Sequence, residues 1–255
     1  MTLKKKRNLF IFIVLVFLTF LAGCASRKIK GDVTPEERLE AAIKWFNDGF
    51  YLDAKPQFRI IILGHPGSRI VDQAQYYYAE CHYQLKEYIL AAAEYERLIK
   101  VFPNSEYVDD AQFKIGLCYF ELSPNYSLEQ EYTLKAINSF QQFLEDYPNS
   151  ELVPDVEKKM FECRMKLAKK KYAAAENYRK IGYLSSAIIY YNLVLESYYD
   201  TPFAPKAQYW VAECYRRKGE LKKAKEEFDM FVNKYPQHDF VNKAQEKLAE
   251  IKKSL

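Results

Sequence analysis

Five cysteines and three histidines are the residues of this 255-residue chain best suited to metal binding or to nucleophilic and redox chemistry. Their spacing argues against those roles for all but one. Cys81, Cys118 and Cys214 each stand two residues beyond a small residue (Ala79, Gly116, Ala212) in segments that align with one another, and Cys163 occupies a matching slot. A thiol repeated at one helical position reads as a small buried packing residue. Equivalent positions on stacked helix pairs lie beyond the ~7 Å Cα separation that a disulfide tolerates. No two cysteines have CxxC spacing, and His65, His82 and His238 are scattered, His65 and His238 in turns, so no metal site is expected. A glycine-rich phosphate loop, GxSxG and HExxH are all missing from the sequence. The acidic pair Asp109-Asp110 falls at a helix start, where the macrodipole favours it. The chain is not expected to be an enzyme, and no cofactor is expected beyond a covalent lipid.

That lipid concerns Cys24. Lys4, Lys5, Lys6 and Arg7 form a basic head, residues 9–20 are almost wholly apolar, and Leu21-Ala22-Gly23-Cys24 follows. A basic head, a short apolar run and small residues describe a secretory signal, residues 1–23. The run is shorter than the roughly 20 residues a spanning helix needs. The Leu-Ala-Gly-Cys sequence resembles the lipobox of bacterial lipoproteins. That resemblance implies cleavage before Cys24, an S-diacylglycerol on its sulfur and an N-acyl group on its new amine. Three acyl chains suffice for stable anchoring. No acid follows within Ala25-Ser26-Arg27-Lys28, so the expected address is the periplasmic face of the outer membrane, with residues 24–33 as a lipidated tether.

Charge and composition narrow the partners. The 38 basic and 34 acidic residues give +4, but four of the basic residues lie in the signal. Their removal leaves 34 of each sign, which does not support a nucleic-acid partner. Eight glycines in 255 residues are few, which favours helices over sheet, and 22 tyrosines need a use.

The rest of the chain repeats itself. Ala74-QYYYAECHY, Ala111-QFKIGLCYF and Ala207-QYWVAECYR superpose without gaps. Phe102-Pro-Asn-Ser, Tyr147-Pro-Asn-Ser and Tyr235-Pro-Gln-His close successive units, with Asn104, Ser105, Asn149 and Ser150 as candidate caps. Ala54, Ala91, Ala136, Ala187 and Ala224 recur at spacings of 37, 45, 51 and 37. Small residues (Ala42, Ala79, Gly116, Ala175, Ala212) are each followed three later by Trp45, His82, Tyr119, Tyr178 or Tyr215. Phe58, Tyr95, Phe140, Tyr191 and Phe228 follow the second set of alanines. This pattern resembles the tetratricopeptide repeat, with His82 as its departure. Small residues let paired helices approach, and aromatic rings at helical spacing fill the groove beside them. The expected fold is all-α, a solenoid of five tetratricopeptide units: three over 34–153, a linking segment over 154–169, two over 170–236, and a capping helix within 237–255. The spacing also predicts an inserted loop at Ser123–Gln130 and one continuous helix from about Asp155 to Arg179.

In such repeats the positions three before and four after the small residue usually point into the concave groove. They hold Leu39 and Phe46, Tyr76 and Tyr83, and Phe113 and Phe120 in the first three units. In the last two they hold Tyr172 and Arg179, and Tyr209 and Arg216, with Lys180 and Arg217 alongside. The first set predicts an aromatic trough for an extended peptide, the second a mixed aromatic and basic surface.

The lipobox, the five units, the long helix and the stretch Tyr172–Ala187 with Asp200-Thr201-Pro202 together resemble the BamD (YfiO/ComL) family of outer-membrane assembly lipoproteins. The resemblance implies a non-enzymatic scaffold in β-barrel assembly. It implies that the C-terminal units, with Tyr172, Arg179, Lys180, Tyr209, Arg216 and Arg217, bind the POTRA region of the barrel protein BamA. It also implies that the N-terminal units receive the C-terminal signals of unfolded outer-membrane proteins, alongside other Bam lipoproteins. Two other readings are a different periplasmic repeat lipoprotein, pilotin-like or associated with Tol-Pal, and an accessory domain whose repeats dock the catalytic subunit of an envelope enzyme.

Overall fold

The computed structural model describes Ile29 and residues 33–255. The signal, Cys24 and most of the tether lie outside the described residues. Among these there are eleven helices and no strand: α1 Pro35–Asn47, α2 Tyr51–Gly64, α3 Val71–Gln84, α4 Tyr88–Val101, α5 Val108–Leu122, α6 Glu131–Asp146, α7 Val153–Lys180, α8 Leu184–Ser197, α9 Phe203–Arg217, α10 Leu221–Lys234 and α11 Val241–Ser254. The chain divides into two compact units between Glu94 and Tyr95, within α4.

The first unit is built on the α1/α2 hairpin and α3. Thr34 opens α1 with a full capping box: its hydroxyl accepts from the Glu37 amide, and its own amide donates to the Glu37 carboxylate. Phe50 N–H donates to the Trp45 carbonyl, and Arg38 reaches Gln57 at 2.6 Å, so α1 and α2 run antiparallel with residue numbers summing to 95 at each level. Leu39, Ala42, Ala54, Phe58 and Ile61 make the core beneath them. His82, placed where the repeat expects an aromatic ring, is buried; Tyr78 meets it edge-on, and its Nδ1 lies 2.6 Å from Glu87, which also pairs with Lys55. A polar ring therefore holds that slot through its contact with Glu87, which Lys55 also engages.

In the second unit, α5 packs on α6, α7 on α8 and α9 on α10, with further contacts between α6 and α7 and between α8 and α9; α11 covers α10. The predicted long helix runs from Val153 to Lys180 without interruption, and the capping helix is α11. The inserted loop joins α5 to α6. Its Gln130 side chain donates to the carbonyls of Asn125 and Leu128, which closes the loop on itself.

The repeat slots behave as their chemistry requires. All ten small-residue positions are buried, and Phe58, Tyr95, Phe140, Tyr191 and Phe228 are fully enclosed. Each such ring contributes about 1.5–3 kcal/mol relative to exposure. The hairpin turns share a second slot: Gly49, Gly182 and Gly219 have φ near +80°, and Lys86 holds the same position at φ +61°. The candidate caps act differently from the sequence expectation. The hydroxyls of Ser105 and Ser150 accept from the amides of Tyr107 and Leu152, in the turn that precedes each helix. A short turn after each proline places the serine too early to cap the helix itself.

Candidate functional site

Two of the positions three before the small residue, Leu39 and Tyr209, are packed away rather than open to a groove. Leu39 is 5 % exposed and lies in the α1/α2 core; Tyr209 is 7 % exposed, with Phe228, Phe231, Phe240 and Trp210 around it at centroid distances of 4.8–5.7 Å. Phe113 packs against Phe140 and Phe143 of its own hairpin, and Tyr172 against Tyr191 of its own hairpin and Phe203. In an α-helix the Cβ leans toward the N-terminus, so a large side chain at this slot covers the turn that faces helix B. These residues are half-buried to buried packing groups, which corrects Leu39 and Tyr209 as docking residues. Burial pushes the Tyr172 phenol up to about 12. Tyr76 is half-buried, edge-on to Tyr77.

The positions four after the small residue are more open but engaged. Phe46 meets Tyr51 and Tyr77 edge-on, and Tyr83 meets Tyr88 in the same manner. Phe120 has the Lys159 ammonium 4.4 Å from its centroid and Lys166 at 5.7 Å. Arg179 is committed inside the second unit: two nitrogens bond the Glu176 carboxylate at 2.8–3.0 Å, Nε also reaches the Tyr191 hydroxyl, and the guanidinium lies over Trp210. Tyr191 in turn donates to Glu176. The bidentate bond to Glu176 and the Tyr191 contact, working against burial, raise the Arg179 pKa above its ordinary value. An arginine held by Glu176, Tyr191 and Trp210 is a strut between α7, α8 and α9 rather than a free docking charge. Arg216 makes a bidentate pair with Glu213 on its own helix. Lys180 and Arg217 are exposed, the latter reaching the Arg179 carbonyl at 3.5 Å.

One feature escaped the sequence reading. The Ser123–Gln130 loop is gripped by lysines of α7: Lys166 Nζ donates to the Ser123 hydroxyl at 2.6 Å, and Lys170 to the Leu128 carbonyl at 2.7 Å. Lys169 sits 4.4 Å from the Tyr126 ring. Loop and helix enclose a cleft of about 580 Å³ lined by Pro124, Tyr126, Met165, Lys166, Lys169 and Phe203. The signal was present as lysines three and four apart on one helical face beside an insertion of matching length.

Cys81, Cys118, Cys163 and Cys214 are buried thiols, none of them in a disulfide. Burial pushes the Cys81 thiol up to about 12 and those of Cys163 and Cys214 up to about 11. Among the described residues no group of three or more His, Cys, Asp or Glu could hold a metal ion, and no helix is long and apolar enough to cross a membrane.

Paired helices with a small residue, a ring three later and an enclosed ring on the second helix define a tetratricopeptide-type repeat protein. A family described as an outer membrane lipoprotein matches residues 32–227, and the chain belongs to that family, YfiO. No curated protein matches the chain. Among solved structures it is similar to a tetratricopeptide repeat protein from Parabacteroides merdae at 13 % identity, covering 85 % of this chain and 72 % of that one, with a TM-score of 0.37. The tetratricopeptide domain of P58(IPK) is similar at 18 % identity and TM-score 0.42, covering 85 % of this chain and 54 % of that one. A thermophilic repeat protein of Thermus thermophilus is similar at 16 % identity and TM-score 0.37, covering 85 % of this chain and all of that one.

Proposed function

We propose that this chain is a non-enzymatic scaffold lipoprotein of outer-membrane β-barrel assembly. Acylated Cys24 anchors it at the periplasmic face. Its helical hairpins bind the POTRA region of a BamA-like barrel protein and the C-terminal signals of unfolded outer-membrane proteins. The observation that carries this reading is the family match over residues 32–227, joined to the lipobox-like Leu21-Ala22-Gly23-Cys24. The surface chemistry is compatible with it. Lys180 and Arg217 stand exposed at the ends of α7 and α9, where an acidic partner surface would meet them. The half-buried rings of Phe46, Tyr76 and Tyr83 in the first unit, and of Phe113 and Phe120 in the second, offer aromatic edges to a peptide.

The test is a pull-down of the tagged, full-length lipoprotein from detergent-solubilised membranes. Recovery of a BamA-like barrel protein together with unfolded barrel substrates is the expected result. Recovery of a pilus or Tol-Pal component in its place overturns the reading.

A further inference from the structure

The outward face of α2 differs from that of every other second helix. Relative to Ala54, the positions at −2, +2, +6 and +9 hold Leu52, Pro56, Ile60 and Leu63. The same four positions are Ile, Ala, Arg and Lys in α4, Leu, Asn, Gln and Glu in α6, Ser, Ile, Leu and Glu in α8, and Lys, Glu, Met and Asn in α10. Only α2 is apolar at all four. Spaced at i, i+4, i+8 and i+11, they fall within an arc of about 80° on a helix turning 100° per residue. Leu52 is 71 % exposed, Ile60 45 % and Leu63 62 %, and Pro56 is exposed beside them. Arg59 lies about 20° beyond the Leu52 edge of this arc and is exposed. Exposed apolar side chains in a row with a lone arginine are the composition of a helix face that lies against a lipid headgroup layer.

The position of the tether says what covers this face. The α1/α2 register places Thr34, where the tether enters α1, level with residue 61 of α2. The tether therefore leaves the hairpin at the end where Ile60 and Leu63 project. Ten residues, 25–34, separate Cys24 from α1, a reach of at most about 35 Å. Arg27, Lys28 and Lys30 lie within them, and cations close to a bilayer are drawn to anionic lipid. Tethering also raises the local concentration of bilayer at this face, so a weak partition suffices.

We propose that the Leu52–Leu63 face of α2 lies on the membrane that holds the Cys24 lipid, with Arg59 on lipid phosphate. This inference rests on the lipidation of Cys24 proposed above.

The full-length lipoprotein is reconstituted into vesicles of phosphatidylethanolamine and phosphatidylglycerol, with a nitroxide at Leu63→Cys or, as control, at the exposed outer position Ser185→Cys. The four native thiols among the described residues are buried and do not compete for label, and the sulfur of acylated Cys24 is a thioether that cannot react. Accessibility to oxygen is compared with accessibility to a water-soluble nickel chelate. The expected result is that this ratio rises several-fold at position 63 on vesicles and stays unchanged at position 185. If the protein floats with vesicles while the label at 63 remains water-like, the inference is overturned and the stripe belongs to a protein partner. If the protein fails to float and mass spectrometry finds Cys24 unmodified, the lipidation and the inference fall together.

Discussion

The guanidinium of Arg179 lies 3.8 Å from the indole centroid of Trp210 while two of its nitrogens bond Glu176. The arginine comes from the end of α7 and the indole from α9, and Tyr191 of α8 closes the same cluster. The network thus fixes three helices at one point. Removing one donor leaves a partly buried carboxylate short of a partner. Tyr191→Phe is expected to lower stability by about 1.5–3 kcal/mol in urea denaturation. A change below about 0.5 kcal/mol would show that the cluster is not structural.

Acid is expected to weaken the same point. Burial pushes the Glu176 carboxyl up, but the hydrogen bonds from Arg179 and Tyr191 outweigh it and hold the group below its ordinary value near 4.5. A depressed folded value means that stability from this group is complete above that ordinary value and is lost as pH falls through the folded one. Melting temperature followed from pH 6 to 3 should therefore drop, and Glu176→Gln should flatten the drop.

Gly116 admits the Phe140 ring. A Cβ at this position would stand 2.3 Å from Phe140 Cε1, in the interior of the α5/α6 hairpin. Gly116→Ala should cost about 1–3 kcal/mol by overpacking. Combination with Phe140→Leu should cost less than the sum of the two single changes, because the smaller side chain vacates the contested space. Additive losses in a double-mutant cycle would refute the contact.

Lys86 occupies a left-handed turn position that Gly49, Gly182 and Gly219 fill elsewhere. A side chain there costs roughly 1–2 kcal/mol, partly offset by the extra freedom a glycine brings to the unfolded chain. Lys86→Gly should raise stability by about 0.5–1 kcal/mol, read from the denaturation midpoint.

The loop clasp gives a local prediction. Lys166→Met removes the bonds to Ser123 and should speed amide exchange in residues 123–130 while circular dichroism stays unchanged. Unaltered exchange would mean that Gln130 and Lys170 hold the loop without it.

Lys180 and Arg217 carry the partner prediction. Charge reversal of both should reduce co-purification with the BamA-like protein far more than their replacement by glutamine, and should cost the fold no more than about 1 kcal/mol per helix end, since both are exposed in a last turn. Full recovery would remove this surface from the proposed interface.

The repeat was legible because its signals are local. A small residue, a ring three later and an alanine opening the second helix all fall within one hairpin, and the long helix showed as an unbroken run free of glycine. The direction of side chains was less legible. Leu39 and Tyr209 look like groove residues from spacing alone, yet a helical side chain leans back one turn, and at that slot the lean turns it onto helix B. Arg179 was misread for another reason. Glu176 is visible three residues before it, but Tyr191 and Trp210 reach it only once α8 and α9 have packed. The lysine grip on the inserted loop depends in the same way on α7 lying beside residues that are more than 40 positions away.

The 28-residue α7 extends about 42 Å and packs on α6 at one end and α8 at the other. In most repeat arrays each hairpin is its own cooperative segment, and melting spreads one boundary at a time. A helix shared by two hairpins has no boundary at which to stop. Fraying that enters from α11 must halt before α7 or run through it to α5, so the central part of the second unit should melt as one block. A truncation that ends inside α7 would strip both neighbours of half their packing, whereas one that ends after Lys234 would remove only the terminal lid.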